Sequence, residues 1–126
     1  FLDKKSPICC IAGGTGIAPI LSFCEQLKRD GMQNRLHVFY SFKNAEEALD
    51  LDVLKSIIPS EQLHLFCTRQ KVDDLPNRRI NWEDIRQSGF DYTTTHFYIC
   101  GGEYFTGYFR SQLEQAGAEN IYTDEW

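Results

Sequence analysis

Apolar residues follow two different periods along the chain, and the alternation of these periods predicts strands and helices in turn. Five short apolar runs, rich in β-branched and aromatic residues, have the length of buried strands. Several stretches between them repeat apolar residues every three or four positions, as amphipathic helices do. We predict strands at residues 8–12, 36–41, 62–67, 96–100 and 120–123. We predict a first helix that carries Pro19 in its first turn and stops at Gly31, and further helices at residues 46–58, 82–87 and 103–116.

The order of these elements predicts the fold class. Strands that alternate with helices form a parallel sheet with helices on both faces, joined by right-handed crossovers. We therefore predict an α/β fold, a three-layer α/β/α doubly wound sheet of five parallel strands. The chain has 126 residues and no repeat, linker or low-complexity segment, so we assign residues 1–126 to one domain.

The glycine-rich turn after the first strand is the main candidate for ligand binding. Residues 8–19 read ICCIAGGTGIAP, which is typical of a buried strand, a tight turn and a helix N-terminus. Such a turn brings unpaired N–H groups and the positive end of a helix dipole toward phosphate. It departs from the common dinucleotide fingerprint, because Pro19 replaces the third glycine, and no Walker loop follows. An ordinary tight connection remains the alternative. The candidate residues are Gly13, Gly14, Thr15, Gly16 and Ile17.

Polar side chains follow the second and third predicted strands. In doubly wound sheets ligands bind beyond the carboxyl ends of the strands, where Ser41 and Thr68 are expected. Four cations follow the third strand at positions 69, 71, 78 and 79, and Arg in particular suits the geometry of phosphate. We expect Ser41, Arg69 and Lys71 to face a 2′-phosphate; a solvated loop is the alternative.

The segment after the fourth strand and the C-terminal segment complete the candidate site. Gly101 and Gly102 follow Cys100 and allow a flat ring to approach the backbone, whereas the alternative is a buried cysteine before a simple turn. A nucleophilic cysteine is disfavoured, because no suitable histidine lies nearby in the sequence. The final Asp124-Glu125-Trp126 is either a strand edge or a segment that packs over a cofactor ring.

Composition narrows the class of protein. The net charge of −5 argues against a nucleic-acid surface, and no apolar stretch approaches the roughly 20 residues of a transmembrane helix. Five cysteines without a Cys-x-x-Cys pair are typical of reduced thiols in the cytoplasm, which is the predicted location. The three histidines share no ligand spacing, so we predict strand-edge positions for them and no metal site.

Together these motifs resemble the NAD(P)-binding domain of the ferredoxin–NADP⁺ reductase family of FAD-dependent oxidoreductases. The resemblance extends over residues 8–126. It rests on GGTGIAP, Tyr-Ser after the second strand, Thr-Arg-Gln after the third, Cys-Gly-Gly after the fourth, and a final acid-x-aromatic. It implies a ferredoxin reductase-like nucleotide-binding fold, with NADP(H) or NAD(H) as the bound nucleotide and NADPH favoured.

The resemblance also implies a role for each motif. It assigns pyrophosphate to Gly14, Thr15 and Gly16, and the 2′-phosphate to Thr68 and Arg69. It assigns nicotinamide to Cys100 and Gly101, near the flavin. Two further residues are implied at the flavin, Trp126 as a stacking ring and Asp124 as the nearby acid. Gly102 departs from the family pattern, since many members have Pro there.

The expected function is that of one half of an enzyme. The Arg-x-Tyr-Ser type motif of a flavin-binding barrel is absent, so we expect that barrel upstream, outside this chain, and an inactive isolated domain. The full protein is expected to pass hydride from NAD(P)H to FAD, and electrons on to an iron–sulfur or haem acceptor. Two alternatives stay open: a non-catalytic nucleotide-binding or docking module, and the cytosolic end of a membrane electron-transfer oxidase.

Overall fold

Strands and helices alternate along the chain. The computed structural model describes residues 6–14, 17–44, 51–69, 71 and 75–125. The strands are β1 (Ile8–Gly13), β2 (Leu36–Phe42), β3 (Leu63–Cys67), β4 (His96–Gly101) and β5 (Asn120–Glu125). The α-helices are α1 (Ile17–Arg29), α2 (Leu51–Ile57), α3 (Trp82–Gln87) and α4 (Glu103–Gln115). Each lies within two residues of its predicted limits, except that residues 46–50 of the second predicted helix are outside the described part.

The five strands form one parallel sheet in the order β3-β2-β1-β4-β5. In the centre of the sheet, Ala12 of β1 lies opposite Tyr40 of β2 and Cys100 of β4. The chain therefore builds outward from β1 to one edge, returns, and builds outward through β4 to the other edge. The predicted doubly wound sheet of five parallel strands is confirmed.

Alternate residues of β1 point to opposite faces of the sheet and belong to two separate hydrophobic cores. Ile8, Cys10 and Ala12 belong to the core under α1 and α2, where the buried helix residues are Ile17, Ile20, Cys24, Leu27, Leu54 and Ile57. Cys9 and Ile11 belong to the opposite core, under Ile85 of α3 and Phe109 and Leu113 of α4. Every residue of β1 from Ile8 to Ala12 is fully buried, as a central strand covered on both faces requires. The predicted three-layer architecture is confirmed.

Helix α1 starts immediately beyond the candidate phosphate turn. It begins at Ile17, so Pro19 lies in its first turn, where an N–H has no helical partner to lose. Its buried residues, Ile17, Ile20, Cys24 and Leu27, follow the helical period. Lys28 and Arg29 lie in its last turn, where cations stabilise the helix dipole. The amphipathic face of α1 thereby holds the glycine turn at the carboxyl edge of the sheet.

Candidate functional site

The topology opens a crevice between β1 and β4. These two strands are neighbours, but the connection from β1 leads to α1 on one face and that from β4 leads to α4 on the other. Ligands of doubly wound sheets bind beyond the carboxyl ends of the strands at such a reversal. Gly13 ends β1 and Gly101 ends β4, and they lie side by side because Ala12 pairs with Cys100.

The turn after β1 is open to a ligand where the structure describes it. Gly14 is exposed, has a φ of +57°, and a Cβ there would meet no atom within 4 Å. This left-handed backbone favours glycine. The first turn of α1 carries no acidic residue, so no side chain of that turn opposes the positive end of the dipole. Thr15 and Gly16 lie outside the described residues, and the phosphate role of the turn stays a prediction.

A phenyl ring fills the space beside the two strand ends. A Cβ on Gly13 would lie 3.0 Å from Cδ2 and Cε2 of Phe105, and a Cβ on Gly101 would lie 2.8 Å from Cδ1 of the same ring. Both distances are shorter than side chains normally tolerate. Gly13 and Gly101 were predicted to let a ligand approach the backbone; on this face of the sheet, the close approach is made by Phe105. In contrast, a Cβ on Gly102 would meet nothing within 4 Å.

Cys100 lies beside Asp124 at the carboxyl end of β4. The two residues are register partners on adjacent strands; the thiol residue is 6% exposed and the acid is exposed. Burial raises the pKa of Cys100 to about 11, and the charge of Asp124 adds to the rise. The thiol is therefore protonated at neutral pH, which agrees with the expectation that it does not act as a nucleophile. Trp126, the third predicted residue here, lies outside the described part.

Two further thiols, of Cys10 and Cys24, lie in the same core as Cys100 beneath α1 and form a thiol cluster with it. Cys10 and Cys24 are fully buried in the same core as Cys100. A hydrogen bond with Cys24 is the main cause that raises the pKa of Cys10, followed by burial and by proximity to other thiols, Cys100 among them. All five cysteines are free and buried. The sequence contained no sign of this cluster, since its members lie on three different elements.

The carboxyl ends of β2 and β3 form the other side of the edge. The Thr68 N–H donates to the Phe42 carbonyl at 2.8 Å, and the Arg69 N–H donates to the Lys43 carbonyl at 2.9 Å. Backbone pairing therefore continues past both strands and brings the cations of Lys43 and Arg69 onto neighbouring segments. Ser41, directly before this point, is 7% exposed and lies opposite Gly13 in the register.

Three cations at this edge have no acidic partner within the described ranges. Lys43, Arg69 and Lys71 are exposed, and none of them forms an ion pair with a described residue. Exposed cations of this kind, with no acidic partner in the described ranges, are suited to an anionic ligand. Lys43 adds to the set predicted from the sequence.

Arg78 is paired with Asp84 in the first turn of α3. Its guanidinium donates to both carboxylate oxygens of Asp84, at 2.8 and 2.6 Å, and lies 5.2 Å from the centroid of the Phe66 ring. Asp84 also accepts the Asn81 N–H at 2.8 Å, and together they form a capping box on α3. Burial alone raises the pKa of Asp84, but the Arg78 and Asn81 hydrogen bonds outweigh it and leave the pKa lowered. Arg78, one of the four cations that follow the third strand, is therefore held by the first turn of α3, which it stabilises.

The histidines occupy strand positions, as predicted. His64 stacks on Phe39 with ring centroids 4.3 Å apart, and His37 meets Phe90 edge-on at 5.1 Å. Burial lowers the pKa of both. His96 is 5% exposed, with Nδ1 at 3.4 Å from the Tyr122 hydroxyl. Among the described residues, no group of three or more histidine, cysteine and acidic side chains has the geometry of a metal site.

Comparisons with known proteins agree with this geometry. The sequence model of the family described as oxidoreductase NAD-binding domain matches residues 10–111, from β1 into α4. The chain is 21% identical over 131 residues to the ferredoxin–NAD(P)(+) reductase component of the naphthalene 1,2-dioxygenase system of Pseudomonas putida, which covers 98% of this chain and 40% of the relative. The chain spans 19–40% of the length of the curated relatives it matches.

Two solved structures have the same fold. A flavohemoglobin from Malassezia yamatoensis with bound FAD and heme superimposes with a TM-score of 0.81 and 24% identity, over 98% of this chain and 32% of that one. A ferredoxin NADP⁺ reductase from Neisseria gonorrhoeae with bound FAD and NADP superimposes with a TM-score of 0.76 and 21% identity, over 97% of this chain and 56% of that one. In the part of this chain that the structure describes, no helix has both the length and the apolar character needed to cross a bilayer.

Proposed function

Because the chain belongs to the oxidoreductase NAD-binding domain family, we propose that it is the pyridine-nucleotide-binding half of a flavin-dependent oxidoreductase. The observation that carries the proposal is the arrangement of one sheet edge. An uncrowded Gly14, a buried protonated thiol and three cations without an acidic partner among the described residues lie along the carboxyl ends of β1 to β4. This spread suits an extended dinucleotide better than a compact ligand.

The pyrophosphate is assigned to the turn between β1 and α1. Gly14 provides an uncrowded backbone, and Ile17 begins a helix whose first turn carries no acid. Thr15 and Gly16 are assigned to the same role from their place in the sequence. Unpaired N–H groups at such a helix start donate to phosphate oxygens, and the helix dipole adds to the attraction.

The 2′-phosphate on the adenosine ribose is assigned to the ends of β2 and β3. Ser41 and Thr68 offer hydroxyls, while Arg69 and Lys71 offer cations without described acidic partners. A guanidinium accommodates a phosphate through two parallel hydrogen bonds, which a ribose hydroxyl cannot reciprocate. We therefore favour NADPH over NADH as the electron donor.

The nicotinamide is assigned to the segment Cys100 to Gly102. NAD(P)H, when bound, supplies a hydride there, and the chain's residues set its position. The protonated Cys100 thiol contributes shape and polarisability without competing as a nucleophile. Asp124 lies opposite Cys100 in the register and is assigned to the same end of the site. Trp126 is assigned to cover the flavin ring, on the strength of its place two residues further on.

The remaining parts of the proposed enzyme lie outside this chain. We propose that a further domain of the same polypeptide binds FAD. The electrons then pass to an acceptor protein or domain with an iron–sulfur or haem centre. The related reductase component and the flavohemoglobin support both kinds of acceptor. Five free, buried thiols support a cytoplasmic location.

Stopped-flow spectroscopy on the full-length protein tests the proposal. The protein should purify with bound flavin, and anaerobic NADPH should bleach the flavin absorbance faster than NADH does. A protein that binds NADP⁺ but carries no flavin would instead be a nucleotide-binding module. A protein that binds neither nucleotide in calorimetric titration would refute the proposal.

A further inference from the structure

One aromatic ring touches the ends of both strands that flank the crevice. Phe105 is the third residue of α4, and its ring lies against the backbone of Gly13 on one side and Gly101 on the other. The Cδ2–Cε2 edge is the part near Gly13, and Cδ1 is the atom nearest Gly101. The ring therefore bridges the two points from which the candidate pyrophosphate and nicotinamide turns depart.

The ring is held firmly in this place. Phe109 packs against it with ring centroids 5.0 Å apart. The first turn of α4 is anchored by Thr106, whose hydroxyl donates to the carbonyls of Gly102 at 3.2 Å and of Glu103 at 3.1 Å. Thr106 is 1% exposed, so this anchor is shielded from water. These bonds stabilise the N-terminal turn of α4, which follows β4 directly in the chain. The contact of Phe105 with Gly13 therefore reaches across to β1, a strand that α4 does not follow in sequence.

We propose that Phe105 is a positioning residue that holds the pyrophosphate turn and the nicotinamide turn in a fixed relation. The inference rests on the proposed function and deepens it. Gly13 and Gly101 are then glycines because the ring needs their space, whereas Gly14 and Gly102, with open space around them, leave room for the ligand. The position of a dinucleotide that spans both turns therefore depends on the ring. The binding of a fragment that only one turn holds does not depend on it.

The first test is a pair of readouts on Phe105→Ala in the full-length protein. The affinity for 2′-phospho-AMP, a fragment without nicotinamide, should be unchanged within about twofold. The limiting rate of flavin reduction by NADPH should fall by about tenfold or more, because small misplacements of reacting groups are costly in rate. Phe105→Leu, which keeps a bulky apolar group on Phe109, should recover part of that rate. An unaltered reduction rate in Phe105→Ala would overturn the proposal.

The second test needs no flavin chemistry. Gly13→Ala forces a methyl group against the ring and should weaken 2′-phospho-AMP binding by about tenfold, a coupling typical of residues in contact. Adding Phe105→Ala removes the obstacle and should restore the affinity to that of Phe105→Ala alone. Gly107→Ala is the matched control: it lies in the same helix, a Cβ there meets nothing within 4 Å, and both readouts should be unchanged. Thermal melts of every variant identify loss of folding.

The outcomes separate the two proposals. If the wild type binds neither NADP⁺ nor 2′-phospho-AMP, the proposed function fails, and the inference fails with it. If the wild type binds both and Gly13→Ala is not rescued by Phe105→Ala, the glycine serves the ligand directly and only the inference is wrong. Should Gly13→Ala not fold, the Gly101→Ala pair with Phe105→Ala, assayed with NADP⁺, takes its place under the same criteria.

Discussion

Arg69 and Arg78 should respond to alanine substitution in opposite ways. The two residues belong to one run of cations in the sequence, but the structure gives them different surroundings. Arg78 is bound to Asp84 and lies over Phe66, whereas Arg69 is exposed and has no described acidic partner. We expect Arg78→Ala to lower stability and leave nucleotide choice alone, and Arg69→Ala to do the reverse.

The cost of Arg78→Ala follows from the exposure of its partners. The side chains of Arg78 and Asp84 are 47% and 13% exposed, so solvent screens the pair and the charge attraction alone contributes at most about 1 kcal/mol. Loss of the contact with the Phe66 ring adds about 0.5–1 kcal/mol. The total is about 0.5–2 kcal/mol, which lowers the melting temperature of a domain of this size by several degrees.

The cost of Arg69→Ala should appear only in binding. A surface side chain without partners changes stability by no more than about 0.5 kcal/mol. A charge-assisted contact with a phosphate contributes about 1.5–3 kcal/mol, which corresponds to about 10- to 150-fold in affinity. The affinity for 2′-phospho-AMP should fall by that factor, while the affinity for AMP stays near that of the wild type.

Calorimetric titration of both fragments, combined with thermal melts, separates the two outcomes. Arg79→Ala is the control, since Arg79 is exposed and contacts Arg78 only through its own carbonyl, which alanine retains. Both measurements should be near wild type for this variant. If Arg78→Ala abolishes the preference for 2′-phospho-AMP, or Arg69→Ala leaves it intact, the assignment of these cations is wrong.

Three further predictions test other parts of the molecule. Cys100→Ala and Cys100→Ser should slow flavin reduction in the full-length protein with nearly unchanged NADP⁺ affinity; if the reduction rate stays the same in stopped-flow measurements, the thiol is packing only. Leu54→Ala, at a fully buried position, should cost about 2–5 kcal/mol in chemical denaturation, and a cost below about 1 kcal/mol would contradict the described core. The folded state disfavours protonation of His64, because burial lowers its pKa below the ordinary value of about 6.5; stability should therefore fall as pH decreases from about 7.5 to about 5.5, and His64→Gln should flatten that dependence in thermal melts.

Local sequence patterns predicted most of the fold because they record burial directly. A strand covered on both faces has a continuous apolar sequence, so residues 8–12 alone were enough to predict β1. The buried positions of α1 recur every three or four residues, which is the period that predicted a helix there. The family resemblance based on the motifs is confirmed by the match over residues 10–111. The strand order also agrees with the doubly wound expectation, because the chain builds outward from β1 toward both edges of the sheet.

Local sequence patterns did not predict the roles of the cations. Arg78 looks equivalent to Arg69 in the sequence, and the difference lies in Asp84, six residues further along and on the first turn of α3. A capping box on a short helix was the available signal, since Asn81 precedes Asp84 by three residues. That motif places the Asp84 carboxylate next to the segment that precedes α3, within reach of Arg78.

Glycines at strand ends are ambiguous for a physical reason. A missing Cβ creates the same space whether a ligand or a neighbouring side chain fills it, and sequence records only the missing atom. The environment of each glycine removes the ambiguity: Gly13 and Gly101 have Phe105 in that space, while Gly14 and Gly102 have nothing. A bulky aromatic three residues into the helix after β4 is within reach of both strand ends, because β1 and β4 are adjacent. It follows that the loss of function expected on substituting Gly13 would not, by itself, show that this glycine touches the nucleotide.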